Sequence, residues 1–184
     1  IAPDVIANRR RFHANPELFW KERETTLFIE KSLRAMNFEN ITVGFGGGDT
    51  GVTADLNSHL PGPCIAIRAD IDALPLEEES DVPFRSTVKG VMHACGHDAH
   101  AAILLGVASI LSKVREDLPG RVRLIFQPAE ESGLNSGAKH MIAEGALDGV
   151  DAIIGLHVWS SLPSGVFGLR SGGMMASADV FELT

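Results

Sequence analysis

The chain has 184 residues, with 16 Lys and Arg against 24 Asp and Glu, giving a formal net charge of −8 with neutral histidines. Its 22% charged and 45% apolar content excludes an intrinsically disordered chain, and an acidic balance with no basic run argues against nucleic acid or an anionic membrane as partner. The longest strongly apolar stretch, 99–111, is broken by His100, Gly106 and Ser109 and is shorter than the roughly 20 residues a membrane span needs. The two cysteines, Cys64 and Cys95, are too few for a disulfide-stapled secreted scaffold, so a reducing, cytoplasmic compartment is expected.

In chain order, residues 2–14 read as a basic-faced helix that stops before Asn15-Pro16, because a residue preceding proline avoids the helical region. A second helix over 22–36 places Ile29, Leu33 and Met36 on one face. Three short β-branched runs follow, 41–45, 51–56 and 64–69. Between the first two, Gly46-Gly47-Gly48-Asp49-Thr50-Gly51 matches G-x-G-x-x-G in form. The residues after it alternate like a strand rather than opening a helix, so a hairpin turn is expected there, not a phosphate loop. A helix over 99–114 carries Leu104, Val107, Ala108, Leu111 and Val114 on one face, with Asp98 expected to cap it. Strand 121–127 is stopped by Pro128, a helix covers 136–144, and the apolar run 152–156 is expected to be a strand buried on both faces. Strand-helix-strand alternation predicts a largely parallel mixed α/β sheet with flanking helices. Runs 165–170 and 179–184 are strand-like. The second ends with its alternation unfinished, and the first residue is Ile1 rather than Met, so the sequence is expected to be part of a longer chain.

Ligands in open α/β sheets gather beyond the carboxyl ends of the strands. Asp70 and Asp72 follow strand 64–69, Glu130 and Glu131 follow strand 121–127, and His157 closes strand 152–156. The segment 92–100 adds Cys95 with His93, His97 and His100 just before a helix, and Gly96 lets Cys95 and His97 face one way. A thiol, imidazoles and carboxylates delivered to one edge suit a transition metal better than magnesium or calcium. Of two adjacent glutamates, one can bind metal while its free neighbour acts as general base. Two other readings are a cysteine hydrolase, with Cys95 as nucleophile and His97 or His100 as base, and a non-catalytic binding domain. His13, His59 and His140 are expected to be structural.

The segments 92–100, 126–131 and 155–158, together with 13–18, Glu22, Thr25, 68–75 and 175–179, resemble the M20 metallopeptidase family over essentially the whole chain. The similarity is to its amidohydrolase branch of hippurate hydrolases, N-acyl-amino-acid deacylases and auxin-conjugate hydrolases, with aminoacylases and dipeptidases of the same family as an alternative. The resemblance implies two divalent ions (Zn, Mn, Co or Ni) held by Cys95, His97, Glu131 and His157, with Cys95 bridging. Glu130 would take a proton from the bridging water and pass it to the leaving amine, and Asp72 would orient a ligand histidine. It implies a catalytic domain over 1–176 and the first strand of a lid domain over 177–184. A further ligand histidine and a homodimer interface would lie in parts not contained here. The loop 132–137 and Phe19-Trp20 depart from the family pattern and bear on the choice of N-acyl amino acid substrate.

Overall fold

The computed structural model describes residues 1–175. Helices α1 (Ala2–Ala14) and α2 (Arg23–Ala35) precede strands β1 (Glu39–Val43), β2 (Val52–Asn57) and β3 (Leu60–Asp70). Helix α3 (His97–Lys113), strand β4 (Pro119–Gln127), helix α4 (Gly137–Ala143) and strand β5 (Ala152–Gly155) complete the regular elements. Helix α1 stops at Ala14 as Pro16 demands, with Asn15 at φ −128°. At the start of α2 the first amides are held from outside the helix: Glu17 accepts from the amides of Glu24 (3.1 Å) and Thr25 (2.8 Å).

The five strands form one mixed sheet in the order β1-β2-β4-β3-β5. Strands β4, β3 and β5 are parallel, while β1–β2 and β2–β4 are antiparallel. The mixed sheet with flanking helices is the expected class, with an antiparallel half that begins at the glycine turn. There the Gly44 and Phe45 amides donate to the carbonyls of Gly51 and Thr50, both at 3.1 Å, so the glycine run closes a β1–β2 hairpin. On one face of the sheet, Phe12, Ile29, Leu33, Leu104 and Leu105 from the first three helices pack on Val52, Leu56, Ala69, Leu124 and Phe126. On the other, Phe45, Ala66 and Ile125 meet Met141 and Ala146. Alternation along β4 sends Leu124 and Phe126 one way and Ile125 the other, so helices cover both faces.

Two expectations are corrected. Strand β5 is not buried on both faces: it pairs only with β3 at the sheet edge, and Ile153 and Ile154 are 50% and 57% exposed. Residues 165–170 form no strand, since no described strand lies beside them to complete a ladder. The expected strand 179–184 and the lid-domain strand over 177–184 lie outside the described residues. Among the described residues, no helix is long and apolar enough to cross a membrane.

Candidate metal centre

Because β3, β4 and β5 run parallel, their carboxyl ends open on the same edge. Asp70 ends β3 and Asp72 follows two residues later; Glu130 and Glu131 follow β4; His157 lies two residues beyond β5. Cys95 and His97 come in from the loop that opens α3. Gly96 is the N-cap of that helix, at φ 87°, and a Cβ on it would meet Val158 Cγ2 at 2.5 Å. Only glycine satisfies both the left-handed turn and this close approach. Asp98 is therefore not the cap that the sequence suggested. It lies in the first turn, buried, with Oδ2 2.7 Å from His13 Nδ1.

His97 is completely buried, and its two nitrogens have opposite surroundings. Nδ1 donates to Asp72 Oδ1 at 3.1 Å, whereas Nε2 has no hydrogen-bond partner among the described residues. Around Nε2 stand carboxylate oxygens of Asp70, Glu131 and Glu130 at 3.6, 3.8 and 3.9 Å. These lie beyond hydrogen-bond length but within reach of a shared cation. Asp72 also accepts the Glu131 amide at 2.9 Å through Oδ2, so one carboxylate orients the histidine and fixes the glutamate loop. His157 is arranged the same way. Its Nδ1 donates to the Val158 carbonyl at 2.5 Å, leaving Nε2 3.4 Å from Cys95 Sγ. Potential donor atoms of Cys95, His97 and His157 lie within 4.8 Å of one another, as do those of His97, Glu130 and Glu131.

Burial and neighbouring carboxylates set the electrostatics of this pocket. Burial pushes the Cys95 thiol up to about 12, and Glu131 adds to the rise. Burial raises the Glu130 carboxyl too, helped by Asp70 and Glu131. For His97, burial disfavours the charged ring, but the Asp72 hydrogen bond and neighbouring carboxylates outweigh it and raise the pKa. A divalent cation at Nε2 would take the place of that proton and let the thiol ionise. The residues present fit such an ion: two imidazole nitrogens left free by their partners, one thiol, and carboxylates in excess of cations.

His100, absent from the expected site set, supports it from behind. Its Nδ1 donates to Asp70 Oδ1 at 2.6 Å, and its Nε2 accepts the Val158 amide at 2.9 Å, next to His157. Burial would raise the Asp70 carboxyl, but His100 and the Arg68 guanidinium, 2.6 Å away, hold it well below the usual range. Both nitrogens of His100 are thus engaged. This leaves it unable to serve as the base of a cysteine nucleophile. The segment 92–100 signalled His100 as one more imidazole and a candidate base for Cys95, not as the partner of Asp70, 30 residues away.

His13, expected to stand apart as a structural residue, is grouped with other charged side chains. It lies between Asp98 and Glu78, with Nε2 3.0 Å from Glu78 Oε1, and Arg9 pairs with Asp98 at 2.9 Å. His59 and His140 lie outside the candidate site. His140 stacks edge-on with Trp20 at 5.2 Å.

Residues 66–182 match the family described as Peptidase family M20/M25/M40. Thermostable carboxypeptidase 2 of Saccharolobus solfataricus is 50% identical over 179 residues, 97% of this chain and 45% of that protein. N-acetyl-L-cysteine deacetylase of Bacillus subtilis is 48% identical over 179 residues, 97% of this chain and 42% of that protein. A solved dinuclear metal binding peptidase from the M20 family of Bacillus subtilis superposes with a TM-score of 0.80 at 46% identity, covering 86% of this chain and 43% of its own. The chain spans less than half the length of each of these three proteins.

Proposed function

The chain belongs to peptidase family M20/M25/M40, and on that premise we propose that it supplies the metal-binding half of an amidohydrolase acting on N-acyl amino acids. Cys95, His97, Glu131 and His157 would hold two divalent ions, and Glu130 would be the general base. The observation that carries this reading is the bare, fully buried Nε2 of His97, facing three carboxylates and close to the Cys95–His157 pair. When bound, such ions lower the pKa of water and polarise a scissile carbonyl.

The chain's own residues supply the remaining steps. Glu130 is 41% exposed, so its carboxylate can reach a substrate, and its raised pKa suits it to take a proton from the attacking water and deliver it to the departing amine. Glu131 is less exposed, at 22%, and is fixed by Asp72 through its amide, as suits a ligand rather than a proton carrier. Asp72 keeps the Nδ1 proton of His97 in place and thereby leaves Nε2 free.

A carboxypeptidase and an N-acyl-amino-acid deacylase cut the same type of bond, an amide whose nitrogen belongs to an amino acid with a free α-carboxylate. They differ in the acyl partner. The test is hydrolysis of hippurate, N-acetyl amino acids and N-blocked dipeptides by the full-length protein. We expect activity to vanish on exhaustive chelation, to return with a divalent ion, and to fall about a thousandfold or more in Glu130→Gln. Activity that survives both chelation and Glu130→Gln would overturn the proposal.

A further inference from the structure

Glu22 is a carboxylic acid with no exposed surface, and it lies outside the set of residues assigned above. It stands at the N-cap of α2, where a side chain ordinarily accepts an amide of its own helix. It makes no such bond, because Glu17 already serves the Glu24 and Thr25 amides. Instead Glu22 reaches across to β4's exit, where Oε1 accepts the Ala129 amide at 2.7 Å. Its Oε2 has no partner among the described residues. A buried carboxyl with one committed oxygen and one bare one costs stability.

That oxygen holds the residue immediately before the base. Ala129 has φ 50° and ψ 44°, the left-handed conformation that a non-glycine residue adopts only when its surroundings impose it. Its orientation sets the direction in which the backbone enters Glu130 and Glu131. The far end of the same loop is gripped from the same segment, since Trp20 Nε1 donates to the Asn135 carbonyl at 3.1 Å. Residues 20–22 thus clamp the glutamate loop at both ends, with Asp72 on the Glu131 amide between them.

We propose that Glu22 is a positioning residue for the reaction, holding the Ala129 amide so that the Glu130 carboxylate sits at its working distance. The proposal rests on the reading of Glu130 as general base. Its hydrogen bond, not its charge, is what acts, and two variants of the full-length protein separate the two. Glu22→Gln keeps an acceptor of the same reach but no charge; Glu22→Asp keeps the charge but falls one methylene short of Ala129. We expect kcat of Glu22→Gln to stay within about threefold of the parent, and that of Glu22→Asp to fall by about ten- to a hundredfold with KM within about twofold and metal content unchanged. The reverse order, equal loss in both, loss in neither, or a loss that follows metal content would overturn it.

A second readout does not depend on turnover. Amide hydrogen exchange over 129–135 should be about tenfold or more faster in Glu22→Asp than in Glu22→Gln. Equal exchange in the two would also overturn the clamp. If the parent protein hydrolyses none of the test amides, the functional reading fails, and the exchange experiment still decides whether Glu22 holds the loop.

Discussion

Burial pushes the Glu22 carboxyl up to about 7, against the pull of the Ala129 amide and with help from the Asp72 carboxylate. A folded-state pKa above the ordinary 4.5 means that the folded protein binds more protons than the unfolded chain between pH 4.5 and about 7, so stability falls as pH rises through that window. Glu22→Gln has no such titration. We expect the variant to gain on the parent by roughly 2–3 kcal/mol between pH 5 and 8, read from denaturant midpoints at each pH. Parallel stability profiles would contradict this. At this scale the candidate donors were visible as residue types: Asp72, Glu130, Glu131 and His157 at strand exits, and Cys95 and His97 where a helix opens. Their supports were less so. Glu22 and His100 act through partners 107 and 30 residues away, and no local spacing encodes such a pair.

Among the elements, helix α1 is tied to the start of α3 and to the irregular segment around Glu78 by His13. Asp98 faces Nδ1 and Glu78 faces Nε2, which favours the protonated ring, while the Arg9 guanidinium 3.4 Å from Nδ1 opposes it. The Asp98 hydrogen bond is the main cause of its raised pKa, with burial opposing. His13→Gln should lower stability by about 3 kcal/mol near neutral pH, because Asp98 and Glu78 lose a buried partner. A folded pKa raised above 6.5 contributes stability that is full below 6.5 and is lost as pH rises through the folded value, so the gap between parent and variant should narrow toward alkaline pH. A loss under about 1 kcal/mol, or a gap that widens with pH, would refute the tie. The helices and strands were readable from periodicity and breakers because Pro16, the glycine turn and Pro128 act locally. Asp98 as a cap misled because Gly96, two residues earlier, takes the left-handed φ that starts the helix. Strand β5 misled for another reason: its apolar run, Ile153 and Ile154 included, reads as a buried strand but lies half-exposed at the sheet edge.

For the whole molecule, the sheet decides where chemistry can happen. Parallel pairing of β4, β3 and β5 gathers the acidic and imidazole ends at one edge, while the antiparallel β1–β2 half takes no part in the site and closes the core. On the face away from α1–α3, Asp55 of β2 accepts a two-pronged bond from Arg123 of β4, at 2.7 and 3.0 Å, and Arg123 also donates to the Ala146 and Asp148 carbonyls. That bracket fixes the chain leading into β5, and hence the approach to His157. For the proposed metal centre of Cys95, His97, Glu131 and His157, X-ray absorption at the metal edge of the full-length, zinc-loaded protein reads the ligands directly. We expect a sulfur scatterer at about 2.3 Å with nitrogen and oxygen near 2.0–2.2 Å, the sulfur shell disappearing in Cys95→Ser. A shell of nitrogen and oxygen alone in the parent protein, or a sulfur shell that persists in Cys95→Ser, would contradict it.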